Sequence, residues 1–205
     1  FKKMKILKLN YFYLKKEQFK KINLKKKIKK SQIKFPIVIK PSNEGSSIGV
    51  IICKNLEAIK KAANKLFKNY EKLIFEKYIP GQEVQVAVMG GKALGAIELK
   101  PKRKFYDYKA KYQKSAKTIH IMPANIPKKK YLEVLKIAEK THKALKCRGV
   151  TRSDFRFFKN KLFLLEINTQ PGMTDLSLVP EIARFKGISF KELVKRILLD
   201  ADLNK

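Results

Sequence analysis

Val150-Thr-Arg-Ser-Asp-Phe-Arg-Phe-Phe158 and Leu162-Phe-Leu-Leu-Glu-Ile-Asn168, two β-rich runs joined through Lys159-Asn160-Lys161, decide how this chain folds and what it can hold. Side chains alternate faces along a strand, so Arg152, Asp154 and Arg156 share one face of the first run, and Ser153, Phe155 and Phe157 the other. On the second run Glu166 and Asn168 share a face, while Phe163, Leu165 and Ile167 take the opposite one. The apolar sets must turn together toward a core, which gathers Arg152, Asp154, Glu166 and Asn168 on one polar surface. In an unbulged hairpin this requires facing residue numbers to sum to an even value. A three-residue connection at residues 159–161, pairing Asp154 with Glu166 and Arg152 with Asn168, meets that condition. A strict two-residue turn would send the ligands to opposite faces.

Three oxygen ligands beside a cation suit Mg²⁺ held jointly with nucleotide phosphates, because Mg²⁺ prefers hard oxygens and keeps positions open for phosphate and water. A salt-bridge ladder across a surface hairpin is the competing reading of these strands alone. Upstream, Phe35-Pro-Ile-Val-Ile-Lys40 is a strand that ends in Pro41-Ser-Asn-Glu-Gly-Ser-Ser-Ile-Gly49 and continues as Val50 to Cys53. That loop offers glycines for close backbone approach to an anion, serine hydroxyls, and the Lys40 charge at the strand end. It is not a Walker A sequence, and a polar hairpin loop is its plainer reading.

Between these regions the pattern is regular. Asn55 caps a helix with Leu56, Ile59, Ala63, Leu66 and Phe67 at helical spacing. Leu73 to Tyr78 is a strand broken by Ile79-Pro80-Gly81, and Glu83 to Met89 returns through Gly90-Gly91 to Ala93–Leu99. The break divides the chain into a lobe over residues 1–81 and a second over 82–205. Residues 100–117 are polar, basic and aromatic without periodicity, a long loop of the kind that is usually functional. Pro127 opens a helix to about Lys146 with Leu132, Leu135, Ala138, His142 and Leu145 on one stripe, and short helices near 178–185 and 190–201 close the chain. His120 and His142 have no neighbours at ligand spacing and read as structural, as do the core aromatics Phe155, Phe157 and Phe163.

The net charge of +32 proposes a nucleic-acid partner, but only six of the 49 basic residues are arginines. Bidentate phosphate recognition favours the guanidinium. The lysines are diffuse, abundant Ile, Asn, Phe and Tyr accompany them, and the pattern resembles codon drift toward A and T. Cys53 and Cys147 fit no metal spacing, which sets a reduced, cytoplasmic expectation, and no apolar run reaches membrane-spanning length.

Ile39-Lys-Pro-Ser-Asn-Glu-Gly-Ser-Ser-Ile-Gly49, Phe105-Tyr-Asp-Tyr-Lys-Ala-Lys-Tyr112, Arg152-Ser-Asp154, Leu165-Glu-Ile-Asn-Thr-Gln-Pro-Gly-Met-Thr174 and Ser177-Leu-Val-Pro180 resemble, in order and spacing, the motifs of D-alanine:D-alanine ligases. The resemblance spans about residues 35 to 200. It implies an α+β ATP-grasp fold, two α/β lobes with largely antiparallel sheets clasping ATP. It implies ATP-dependent joining of two D-alanines for peptidoglycan, with two Mg²⁺ (or Mn²⁺) and an acyl phosphate between the half-reactions. Lys40 then contacts ATP phosphates. Glu76, Lys77 and Ile79 belong to the interlobe hinge that reads adenine, and Glu83 grips the ribose. Asp154, Glu166 and Asn168 match the metal ligands. Arg152 and the Gly172 N–H match the oxyanion stabilisers, and Ser177 the residue that holds the second substrate's carboxylate. The loop over 100–117 becomes a lid, with Lys111 on phosphate and Tyr112 latched to Ser46; Tyr112 favours a dipeptide over a D-lactate ester. Gln170 departs from the small polar residue common in relatives.

The expected partners are ATP and D-alanine, with no nucleic acid or membrane; a homodimer is compatible with the resemblance. Another acceptor on the same fold and a basic nucleic-acid-binding module are the alternatives. The missing Met before Phe1 and the lack of an N-terminal domain like the family's point to a truncated chain with weak Mg-ATP binding and little turnover alone.

Overall fold

Alternating apolar residues build two antiparallel sheets in the computed structural model, which describes residues 7, 9–45, 47–101 and 118–201. Ser46, Lys111, Tyr112 and the loop expected to form the lid lie outside the described residues, apart from residues 100 and 101. The chain falls into two compact units, one built on Leu9–Ile79 and the other on residues 80–101 and 118–201 together with Leu7.

In the first unit β1 (Tyr11–Lys15), β2 (Ile37–Pro41), β3 (Ile51–Cys53) and β4 (Lys72–Lys77) lie in the order β1-β4-β2-β3, every pairing antiparallel. Period-two alternation turns Ile37, Ile39, Leu73 and Phe75 to one face. There they are fully buried in one cluster with Ile59, Ala63 and Leu66 of α3 (Leu56–Leu66). Asn55 caps α3 as the sequence anticipates, its Oδ1 accepting from Ala58 N at 2.8 Å.

Residues 1–34 have no clear sequence signature. The structure nevertheless gives them β1 as the sheet edge and two short helices, α1 (Lys16–Lys21) and α2 (Leu24–Lys30). Phe12 stacks on Phe75 at 4.8 Å between centroids, and Leu24 and Ile28 of the lysine-rich run join the same core. Those lysines are the solvent side of an amphipathic segment.

The second unit carries β5 (Gln82–Met89), β6 (Lys92–Lys100), β7 (Ile119–Ile121), β8 (Val150–Phe158) and β9 (Lys161–Asn168) in the order β7-β6-β5-β8-β9. Helix α4 (Lys128–Ala144) covers one face, where Val134 and Ala138 pack with Val84, Val86, Ala96 and Phe155. Its buried stripe is Val134, Ala138, Thr141 and His142. The expected stripe holds at Ala138 and His142, with Leu135 packed against the same core, but not at its ends, where Leu132 and Leu145 are 50% and 44% exposed. Helices α5 (Leu178–Phe185) and α6 (Phe190–Asp200) complete the unit.

The β8–β9 hairpin corrects the sequence reading in an instructive way. The turn is a two-residue one: Phe158 faces Lys161, and Lys159 and Asn160 both take positive φ, 47° and 59°. Such a turn matches the right-handed twist of the flanking strands. The odd register it sets holds through Phe155 opposite Leu164, so Leu162 and Leu164, not Phe163, turn toward α4. Phe163 lies opposite Arg156 and forms a parallel bridge to Leu7. The register then shifts between Asp154 and Phe155, where Leu165 is the extra residue of a β-bulge. Beyond it Asp154 faces Glu166 and Arg152 faces Asn168, as the metal-face argument requires.

His142 is 3% exposed on α4, its Nδ1 lying 2.9 Å from the Thr151 hydroxyl of β8. Burial pushes its pKa below the ordinary 6.5, against weaker opposing effects of Asp200 and the Cys147 backbone. The unfolded chain therefore takes up a proton near pH 6.5 that the folded chain resists, and stability is lost as pH falls through that window. Thermal melts from pH 7.5 to 5.5 should show the wild-type Tm falling more steeply than that of His142→Gln. Equal slopes would remove His142 from the acid sensitivity.

Candidate active site

In the first unit the sheet face opposite the core carries the expected nucleotide residues. Lys40 sits opposite Ile74, Glu76 opposite both Val38 and Tyr11, so Lys40 and Glu76 are diagonal neighbours on one face. Their ion pair is 3.0 Å, with the Lys40 side chain 23% and the Glu76 side chain 15% exposed. The cation is thereby held extended at the strand end, where a phosphate can take over its partner. Lys77 is exposed at the end of β4, its N–H donating to Asn10 O at 3.0 Å, and Ile79 is buried.

The loop after Lys40 is fixed at its base and open at its tip. Ser42 N donates to Lys72 O at 3.1 Å and Ile48 N to Gly45 O at 2.9 Å, while residues 42–45 are exposed. Its two glycines do different jobs. A Cβ at Gly45 would meet nothing within 4 Å, which leaves backbone open to an incoming anion. Gly49, at φ +70°, is packed so closely that a Cβ would lie 2.8 Å from Pro41 Cγ. Gly49 is thus needed to close the loop, not to receive a ligand.

In the second unit the β5–β8–β9 register assembles the remaining residues on one face. Glu83 lies opposite Arg156, Gln85 opposite Asp154, Asp154 opposite Glu166 and Arg152 opposite Asn168. Arg152 grips Asp154 in a fork, Nε to Oδ1 at 2.8 Å and Nη2 to Oδ2 at 3.0 Å. Arg156 reaches Glu83 from the neighbouring strand, Nη2 to Oε2 at 2.8 Å, while its Nη1 donates to Gly81 O at 3.2 Å. Asp154 is buried, Glu166 is exposed, and the Asn168 amide oxygen accepts from Gln170 N at 2.9 Å.

These residues fit a hard divalent cation. All three donors are oxygens on neighbouring positions of two strands, and a carboxylate held by one guanidinium fork still has lone pairs free. Among the described residues no three His, Cys, Asp or Glu side chains converge as a metal group; the oxygens this face offers are those of two carboxylates and an amide.

The chain after β9 brings Gly172 and Ser177 together. Ser177 is the residue before α5, and its Oγ accepts from Thr174 N at 3.0 Å and lies 2.9 Å from Thr174 Oγ1. A Cβ at Gly172 would stand 2.8 Å from that Oγ, so only glycine leaves the serine in place. A hydroxyl at the positive end of a helix is suited to a carboxylate. His120 pairs with Glu181 of α5 at 2.7 Å, a structural link in keeping with its sequence reading.

Three residues of this face have no assigned role in the sequence reading. Arg156 is placed on the polar face by alternation, but its grip on Glu83 depends on the β5–β8 pairing. Thr174 positions Ser177 through a local turn. Gln85 is 1% exposed, and its signal is visible in hindsight as one amide inside the apolar run Val84 to Val88.

The chain is similar to known proteins in sequence and in fold. A model of the family described as D-ala D-ala ligase C-terminus matches residues 1–199. The D-alanine–D-alanine ligase of Pelagibacter ubique is 55% identical over 185 residues, which cover 90% of this chain and 60% of that protein. The ligase of Citrifermentans bemidjiense is 50% identical, covering 82% of this chain and 55% of that protein. This chain thus spans no more than about 60% of the length of either relative. The crystal structure of D-alanine–D-alanine ligase from Bacillus anthracis superposes with a TM-score of 0.82 at 31% identity, covering 97% of this chain and 63% of that one. A second structure of that enzyme, complexed with ATP, gives a TM-score of 0.80 at 26% identity. With two antiparallel sheets and the motifs in family order, the chain has the ATP-grasp fold and belongs to the D-ala D-ala ligase C-terminus family.

Proposed function

We propose that this chain forms the nucleotide- and metal-binding part of an ATP-dependent ligase that joins two D-alanines into D-alanyl-D-alanine. The observation that carries this reading is the bulged β8–β9 register, which sets Arg152, Asp154, Glu166 and Asn168 on one face against the local preference of the turn.

Each residue then has a task set by its surroundings. Lys40 leaves Glu76 for the phosphates, and the exposed loop tip around Gly45 offers backbone N–H groups beside it. Glu76, Lys77 and Ile79 receive the adenine, and Glu83, fixed by Arg156, accepts hydrogen bonds from the ribose hydroxyls. Asp154, Glu166 and Asn168 would hold Mg²⁺ or Mn²⁺, whose chemistry when bound is neutralisation of phosphoryl charge. The carboxylate of one D-alanine attacks the γ-phosphorus of ATP, its oxygen forming the new P–O bond as the bond to ADP breaks. The amine of the second D-alanine then attacks the acyl phosphate, and inorganic phosphate departs. Arg152 and the Gly172 N–H stabilise the oxyanion of that step. Ser177, at the start of α5, holds the carboxylate of the attacking D-alanine. Ser46, Tyr112 and Lys111 take the lid roles that the family motifs give them, excluding water from the acyl phosphate.

The deciding experiment titrates Mg-ATP into the chain by calorimetry and follows D-alanine-dependent ADP release, with the dipeptide identified by mass spectrometry. Weak but Mg²⁺-dependent ATP binding is expected, lowered about tenfold or more by Lys40→Met, consistent with loss of a charge-assisted phosphate contact. Binding indifferent to both Mg²⁺ and Lys40 would sink the proposal, and ADP release that answers to D-lactate and not D-alanine would change the acceptor.

A second prediction separates the two carboxylates. Asp154→Ala removes the buried carboxylate and both charge-assisted bonds of the Arg152 fork, and should lower stability by about 2 kcal/mol. Exposed Glu166→Ala should change it by less than about 0.5 kcal/mol. Both should abolish the Mg²⁺ dependence of ATP binding; chemical denaturation alongside the calorimetry measures the two effects independently.

A further inference from the structure

Gln85 is the one polar residue in the run Val84 to Val88, and it is 1% exposed on the face that carries Glu83 and Asp154. Its Nε2 donates to Glu83 Oε1 at 3.4 Å, and it sits directly opposite Asp154 across β5 and β8, where facing Cβ atoms are about 5 Å apart. Its own Oε1 is buried without a hydrogen-bond partner. A buried acceptor left unmatched weakens folding, while an apolar side chain of similar size at such a place is neutral or stabilising. The amide therefore earns no stability at this position. What it does contribute is a donor to one Glu83 oxygen, while Arg156 Nη2 holds the other at 2.8 Å.

We propose that Gln85 is a positioning residue for the ribose-binding carboxylate: with Arg156 it occupies both Glu83 oxygens and fixes the plane in which their remaining lone pairs meet the two ribose hydroxyls. This rests on the assignment of Glu83 to the ribose. Losing the amide removes the donor that holds Glu83 Oε1, so the carboxylate plane and with it the hydroxyl pair is read less sharply, while the phosphate contact of Lys40, made by another strand, is untouched.

The test compares binding of Mg-ATP and Mg-2′-deoxyATP to the wild type, Gln85→Met, Gln85→Val, Glu83→Gln and the double variant Glu83→Gln/Gln85→Met, with a thermal melt of each. The wild type should prefer ATP, and Glu83→Gln should erase the preference. Gln85→Met and Gln85→Val should melt no lower than the wild type yet reduce the ATP-over-deoxyATP ratio by about fivefold. Gln85→Met should add nothing in the Glu83→Gln background, because both changes act through one carboxylate. An unchanged ratio in the Gln85 variants, a further loss in the double variant, or unfolding of both single Gln85 variants would overturn the proposal and leave the ribose assignment intact. A wild type that loses no discrimination on Glu83→Gln would instead remove the ribose assignment, and this inference with it.

Discussion

Strand alternation admits no fractions, and the whole second-unit site depends on how the β8–β9 hairpin satisfies it. Lys159 and Asn160 make a tight turn whose register alone would put Glu166 on the side of the sheet that α4 covers. One additional residue, Leu165, shifts the count by one between the hydrophobic pair Phe155–Leu164 and the polar pair Asp154–Glu166. The near half of the hairpin can therefore serve the core while the far half serves the site. The two halves could not do so together if the strands were regular throughout, because a ladder with one register turns all its facing pairs by the same rule.

Around that face the acids are rationed. The chain holds 17 acidic residues against 49 basic ones, yet Glu76, Glu83 and Asp154 are each bound to a cation on a site face. Part-buried pairs of this kind add little net stability, since desolvation offsets attraction. Their value is geometric. The fork from Arg152 sets the plane of Asp154, the Arg156 contact ties down one Glu83 oxygen, and the Lys40–Glu76 contact keeps a flexible amine at the strand end. Ligand binding can then exchange partners without first gathering side chains from solution, which lowers the ordering penalty of association.

Much of this was legible because it rests on short-range rules. Strands β2 to β6, β8 and β9, α3 with its Asn55 cap, the Gly90-Gly91 return and the faces of β8 all follow from periodicity and turn chemistry. Parity alone requires Asp154 to face Glu166, but a three-residue turn and a bulge produce the same distal register, so alternation does not tell the expected turn from the bulge the strands adopt. The backbone sterics of Lys159-Asn160, neither of them glycine, gave no strong cue for a positive-φ turn. β1 was illegible for a different reason: its apolar residues Phe12 and Leu14 alternate over only five residues, beside a lysine-rich run that masks them. The ends of the stripe on α4 depend on which residues meet the sheet, a tertiary choice with no local marker. Gln85 and Arg156 gain meaning only once β5 is laid beside β8.

The same geometry explains how the large positive charge divides between two residue types. Arg148, Arg152, Arg156 and Arg196 of the second unit each make a directed bond: to the Asp200 carbonyl, to Asp154, to Glu83 and to Glu192. Lysines dominate the first unit and the solvent faces of α1 to α4, where most need no defined partner. Guanidinium is planar with donors in a fixed fork, whereas an ammonium on a long stem is a mobile, well-hydrated point charge. Drift toward lysine is therefore tolerated wherever only solubility is asked of the side chain, and resisted where an angle matters. The charge total describes the first class of position, while Arg148, Arg152, Arg156 and Arg196 trace the second, so the chain's chemistry is better read from its rarer cation than from its net charge.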